Sequence, residues 1–292
     1  MTLHLLVAES EPPAARAKRR DSVGRSNGET FVALLARLAP GAAIDRVTPG
    51  DTDAALPPGA ALAEIDGVFL TGSPLHLYED TPEARREIDF MRAVFAAGAP
   101  AFGSCAGLQV ATVAAGGAVR PSRRGREAGF ARRITPTEAG RSHPLLAGRP
   151  PAFDAPSVHA DEVATLPERS TLLATNGVTK VQAAEIRCGP GVFWGCQYHP
   201  ELALFEVAGA LRRQADSLVE AGLVRGPADL DEHVRLIEAL DAEPDRSDLA
   251  WRLGLDEQVT DARLRRTEIR NFLERLVRPT RAGRDRATLQ PA

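Results

Sequence analysis

The feature that most constrains this chain is an alternation. Short apolar runs recur from the N-terminus with helix-patterned stretches between them, which is how a parallel sheet covered on both faces reads in sequence. The runs expected as strands are Leu3 to Ala8, Ala43 to Val47, Gly67 to Leu70, Ala101 to Gly103, Gly117 to Arg120, Ala131 to Thr135, Phe153 to His159, Thr171 to Thr175, Val181 to Arg187 and Val192 to Gln197. Between the early ones, Thr30 to Leu38 and Pro82 to Ala97 carry apolar residues at helical spacing. This predicts an α/β fold, a three-layer α/β/α sandwich with a mostly parallel central sheet of flavodoxin-like type. From about Arg120 to Val192 strands crowd together and helices thin out, so an antiparallel extension of the sheet is expected there.

Past Gly222 the strand signal disappears. Asp229 to Leu240, Asp248 to Leu253 and Val259 to Val277 read as helices separated by Pro244 and Gly254. The expected division is therefore 1–222 as a catalytic domain, 223–280 as a helical extension and 281–292 as a tail without order. The stripe of Ile269, Phe272, Leu273 and Leu276 suits either packing on the chain's own domain or a subunit interface, which would allow a homodimer. The basic cluster Arg16, Lys18, Arg19 and Arg20 follows Pro12 and Pro13 and is expected in a loop. It reads as a solvated surface loop or, more sharply, as a grip on an anionic group.

Composition closes off several classes. Thirty-six basic against thirty-nine acidic residues leave a net charge of −3, which provides no drive toward nucleic acid or anionic membranes. No window reaches the eighteen apolar residues of a membrane span, and Met1 to Ala8 is too short for a signal-peptide core, so the expected location is cytoplasmic. Three cysteines without a CxxC pair indicate neither a disulfide framework nor structural zinc, and no His, Asp, Glu or Cys spacing suggests a metal.

One of those cysteines stands in Gly103-Ser104-Cys105-Ala106-Gly107-Leu108-Gln109. An apolar strand runs into a small-residue turn centred on Cys105, and Leu108 to Ala115 then begins a helix. That is a strand-to-helix elbow, in which flanking glycines admit close backbone approach and the helix N-terminus favours a thiolate. Downstream, a strand ends at Tyr198-His199-Pro200-Glu201, where Glu201 is close enough to orient the His199 imidazole. The chemistry suggested is nucleophile, general base and acid, and orienting carboxylate. Cys196 and Cys188 read as bystanders.

The elbow and the late Tyr-His-Pro-Glu together resemble the class I, triad-type, glutamine amidotransferases, in particular stand-alone members similar to the glutaminase part of GMP synthetase. Leu70 to Pro74, Gly125 to Gly129 and Ser157 to Val163 match in the same order, so the resemblance covers about residues 1–220. It implies that Cys105 attacks a glutamine side-chain amide to give a γ-glutamyl thioester, with His199 shuttling the proton and Glu201 holding it. It further implies an oxyanion hole from backbone N–H groups of Gly72 or Ser73 and of Ala106, glutamine binding by Gln109 and by the backbone at His159 and Ala160, and a rim position for Glu127. Ala106 and Leu108 depart from the residues common in the family and bear on pocket shape. Three functions fit: a glutaminase supplying ammonia to a separate synthetase, a stand-alone γ-glutamyl amide hydrolase, or a catalytically silent binding module. Covalent catalysis of this type needs no cofactor.

Overall fold

The computed structural model describes the backbone of residues 2–289 and side chains to residue 286. Eleven strands are present among them: β1 (His4–Ala8), β2 (Ala43–Val47), β3 (Gly67–Leu70), β4 (Ala101–Ser104), β5 (Ala118–Pro121), β6 (Glu127–Pro136), β7 (Phe153–His159), β8 (Asp161–Thr165), β9 (Ser170–Thr175), β10 (Ala183–Cys188) and β11 (Gly191–Cys196). Nine form one sheet in the order β2-β1-β3-β4-β11-β10-β9-β6-β7, and β5 pairs with β8. From β2 to β11 the pairings are parallel; from β11 to β7 they are antiparallel. The antiparallel extension thus lies where strands crowd in the sequence. The apolar pattern does not announce β8, because its leading residues are acidic; Asp161 and Glu162 are nevertheless buried.

The period of two along the parallel strands builds both cores. In β1, Leu5 and Val7 enter one cluster with Phe69, Phe102 and Trp194, while Leu6 and Ala8 enter the other with Leu70 and Phe193. Helix α1 (Pro13–Val23) follows β1, and α2 (Asn27–Leu38) covers the first face. A capping box opens α2, with Glu29 N donating to Ser26 Oγ and Ser26 N donating to Glu29 Oε2. The short α3 (Gly59–Ala63), then α4 (Pro82–Ala97) and α5 (Ala106–Ala114), cover the second face.

The basic cluster lies on α1 rather than in a loop. Arg19 is buried, its Nη2 3.0 Å from Glu206 Oε1, a partner 187 residues away that no local pattern could have shown. Glu206 also accepts from Thr30 Oγ1 at 2.5 Å, tying α1 and α2 to a later helix.

After α6 (Glu138–Ser142) and the antiparallel strands come α7 (Leu204–Arg213), α8 (Ala215–Glu220), α9 (Pro227–Ala242) and α10 (Ser247–Leu253). Val207 and Leu211 of α7 share a cluster with Val234 and Ile237 of α9. The helix expected over Val259 to Val277 is broken into α11 (Glu257–Thr260), α12 (Ala262–Arg265), α13 (Thr267–Phe272) and a π-helical turn, Leu273–Val277. Asp261 restarts it by accepting from the N–H groups of Arg263 and Leu264.

The stripe on this segment is covered by the chain itself. Ile269, Phe272 and Leu273 are buried against the parallel sheet together with Val277, and Leu276 packs half-buried on the same cluster, with the rings of Phe69 and Phe272 edge to face at 5.2 Å. Each such side chain contributes on the order of 2 kcal/mol, and the stripe is not free to form a subunit interface. The tail expected to lack order continues as α14 (Arg278–Leu289), where Arg281 and Arg284 bond the fully buried carboxylate of Asp66. Ion pairing replaces the missing apolar pattern there. Residues 290–292 of that expectation fall outside the described residues. No helix among the described residues is long and apolar enough to cross a membrane.

Candidate active site

Cys105 stands between β4 and α5 with φ 52° and ψ −112°, one of two non-glycine residues of positive φ among the described residues. Such a conformation costs on the order of 1–3 kcal/mol and persists only where the surroundings enforce it. They do so here. The Cys105 N–H donates to Cys196 O at 2.8 Å, which fixes the turn to β11. A Cβ on Gly107 would stand 2.6 Å from Leu70 O, and one on Gly103 would stand 2.8 Å from the Gly107 carbonyl carbon, so only glycine lets the elbow close.

Because β11 runs parallel to β4 with Cys196 opposite Ser104, the chain leaving β11 passes beside the elbow and delivers His199 to Cys105. Its backbone N–H is held by Pro156 O at 2.7 Å. His199 Nδ1 lies 2.6 Å from Glu201 Oε1, which also accepts from Ser104 Oγ at 2.9 Å. That leaves the other ring nitrogen free to exchange a proton with the neighbouring Cys105 thiol. Burial acts to lower the His199 pKa, but Glu201, Cys105 and the hydrogen bonds to both outweigh it and carry it up to about 10. Gly72 closes the third side: a Cβ there would meet His199 Cε1 at 2.8 Å. The Glu201 Oε2 atom is buried without a partner.

A cavity of about 470 Å³, within the range of small-molecule sites, opens over Cys105 and His199. Gly72, Ser73, Gln109, His159 and Ala160 line it. Ala106 is buried behind the elbow and Glu201 behind His199, and neither lines the cavity. Gln109 Nε2 is 3.3 Å from both Asp161 O and Gln197 Oε1. The His159 ring is likewise engaged, Nδ1 by Asp161 O and Nε2 by Glu127 Oε2, each at 2.9 Å. Glu127 is therefore no rim residue of this cavity. It is a buried anchor that also accepts from Asn176, Thr179 and Gln182, and its pKa is lowered: burial raises it, but His159, Asn176 and Gln182 together outweigh that burial.

Lys18 and Arg19 of the basic cluster also line the cavity, and with them residues the sequence did not single out: Glu11 ahead of α1, Arg126 before β6, and Arg213 at the end of α7. The cluster on α1 was visible; its convergence with Arg126 and Arg213 was not. His76 lines the cavity too, with Nδ1 2.6 Å from Asp161 Oδ2. His143, His4, Cys188 and Cys196 lie elsewhere; Cys196 is fully buried, and its pKa is raised by that burial.

Comparison with known proteins bears on this arrangement. The family described as glutamine amidotransferase class-I matches residues 34–211. A "Gamma-glutamyl-L-1-hydroxyisopropylamide hydrolase" of Pseudomonas sp is 37% identical over 285 residues, covering 95% of this chain and 94% of that protein. The chain belongs to the class I glutamine amidotransferase family. Like other members of that family it is an amide-hydrolysing enzyme. A glutamine-hydrolysing GMP synthase from Thermomicrobium roseum is 31% identical over 212 residues, covering 67% of this chain but only 37% of that longer protein. The glutamine amidotransferase of Thermotoga maritima superposes with a TM-score of 0.66 at 18% identity, covering 95% of this chain and 99% of that one. This last likeness establishes the amidotransferase fold over the α/β layers and the C-terminal helices alike.

Proposed function

We propose that this chain hydrolyses a γ-glutamyl amide through Cys105, with water rather than a synthetase completing the reaction. The observation that carries the reading is that Cys105 and His199 line one cavity, with Glu201 held behind His199 at 2.6 Å from its Nδ1. His199 takes the thiol proton, and the Cys105 sulfur attacks the side-chain carbonyl carbon of the glutamyl group. The oxyanion is met by backbone N–H groups of Gly72 or Ser73 and of Ala106. The C–N bond breaks as His199 returns the proton to the leaving nitrogen, and free amine departs. A water molecule then gives a proton to His199 while its oxygen attacks the thioester, and glutamate leaves as the sulfur recovers the proton. Glu201 keeps Nδ1 protonated and the ring oriented throughout. Gln109, with its amide nitrogen taken up by Asp161 and Gln197, offers its oxygen to the substrate ammonium, and the backbone at His159 and Ala160 closes over the glutamyl chain.

The near end-to-end likeness to a γ-glutamyl amide hydrolase, which includes the helices after residue 222, supports hydrolysis as the whole protein's task. The second reading is glutamine hydrolysis with ammonia passed to a separate synthetase; the likeness to a glutamine-hydrolysing GMP synthase favours it, over two thirds of the chain. Purified protein is incubated with glutamine and with a γ-glutamyl alkylamide, and ammonia, amine and glutamate are measured. Amine release exceeding ammonia release, abolished in Cys105→Ala, is the expected result. Turnover that survives Cys105→Ala sinks the assignment of the nucleophile. Glutamine turnover that dominates would support the second reading.

A further inference from the structure

The wall of the Cys105 cavity formed by α1, the end of α7 and the residue before β6 carries Lys18, Arg19, Arg126 and Arg213. Of these, only Arg19 has a carboxylate partner, Glu206, and its buried Nε has no hydrogen-bond partner. Arg126 directs its terminal nitrogens to Ser217 Oγ at 3.0 Å and to the Gln214 amide oxygen, and its Nε is also buried and unpartnered. Arg213 reaches Ser22 Oγ at 2.7 Å. Among the described residues, neither these two nor Lys18 forms an ion pair. Burial first and the like charge of Arg19 second bring the Arg213 pKa down to about 10, and burial also lowers that of Arg126. The charges of Glu11 and Glu206 act back on Arg213, so counter-charge is present but in the minority: besides the Arg19–Glu206 pair, Lys18, Arg126 and Arg213 share the wall with one unpaired acid, Glu11, and such a surplus in a half-buried wall is unfavourable unless something else supplies the charge.

The reacting end of a γ-glutamyl substrate does not supply it. Its α-carbon carries one ammonium and one carboxylate, so it adds both signs equally. The cavity's own acids are Glu11 and Asp161, and Asp161 is already met by His76. The cationic surplus therefore points to the other half of the substrate. Leu202, the α7 terminus at Arg213 and Arg126 line the same cavity as His199, the residue that must protonate the leaving nitrogen. We infer that the amine half of the γ-glutamyl amide carries an anionic group, of carboxylate size, received between Arg126 and Arg213 with Lys18 at the mouth. Arg126 and Arg213 are then specificity-determining residues for the leaving group.

This rests on the γ-glutamyl reading, and the test separates the two. Three substrates of matched length are compared by kcat/KM: γ-glutamyl-β-alanine, the uncharged γ-glutamyl-propylamide and the cationic γ-glutamyl-diaminopropane. The anionic substrate is expected to exceed the uncharged one by about tenfold or more, with the cationic one slowest and the preference declining as salt is raised. In Arg213→Gln and Arg126→Gln the anionic-to-neutral ratio falls toward one, while Arg213→Lys retains most of it. Turnover of all three without charge preference overturns this inference alone, as does an equal loss on all substrates in the arginine variants, which would assign those residues to the shared glutamyl end. Failure of every γ-glutamyl amide in the wild-type protein overturns both readings together.

Discussion

Tyr198 and His199 are neighbours just past the end of β11, and each leads to a buried ionic group of a different kind. The Tyr198 hydroxyl donates to Glu268 Oε1 at 2.8 Å, and Glu268 takes two further 2.7 Å bonds from Arg149, whose third nitrogen meets Gln258 Oε1 at 2.9 Å. Both charged side chains are fully buried. His199 and Glu201 are also buried but incompletely satisfied: Glu201 Oε2 has no partner, and the imidazole faces a cavity. The first group joins the C-terminal helices to the sheet and is saturated. The second keeps bonding capacity in reserve beside a strained cysteine, which is the condition of a site that binds and reacts rather than one that only holds the fold.

The sharpest break of this contrast is Cys105→Ala, expected to lower turnover by about four orders of magnitude while thermal melting stays near wild type, since alanine keeps the same Cβ at this backbone conformation. Amine release and a melt on the same sample check it. Glu201→Gln should cost about two to four orders of magnitude in kcat and also change a pH dependence. Against the effect of burial, Glu201 and Cys105 hold the folded His199 pKa near 10, above the ordinary 6.5. A raised pKa stabilises the fold fully below about pH 6.5 and loses that contribution as pH climbs toward 10. The melting-temperature gap between wild type and Glu201→Gln should therefore narrow across that window, and a gap that is flat with pH would refute the ion-pair assignment.

Arg149→Met reverses the pattern. Leaving Glu268 buried and uncompensated should destabilise the protein by about 3–5 kcal/mol in denaturant titrations, with kcat of the surviving folded fraction little changed. Pairing it with Glu268→Leu should restore part of the loss. A smaller stability loss than that of Arg149→Met is expected for Gly107→Ala: its Cβ would press Leu70 O at 2.6 Å, costing about 1–3 kcal/mol. Because that shift is transmitted to the elbow, kcat should fall more than stability alone explains. Equal kcat in the variant would mean the elbow tolerates displacement.

How legible each part was follows the range of its interactions. The strands of the parallel half were read from apolar periodicity, and the Cys105 elbow from glycines within four residues of one another. What escaped was held by distant partners. Helix α1 has no apolar stripe and is anchored through Arg19 to Glu206; α14 is anchored through Arg281 and Arg284 to Asp66; β8 buries two acidic residues, of which Glu162 meets Arg120 at 2.7 Å and Asp161 meets His76. In each case charge pairing across the fold does what apolar patterning does elsewhere, and it leaves no local trace.

The sequence by itself determined the α/β layering, the residue types of the elbow and the late His-Pro-Glu, because periodicity and turn chemistry are local properties of the chain. Only the tertiary structure decided that β11 lies beside β4, bringing His199 to Cys105, and that Lys18, Arg126 and Arg213 face one cavity. Strand order and side-chain convergence depend on which distant surfaces bury one another, and that is an outcome of packing the whole chain.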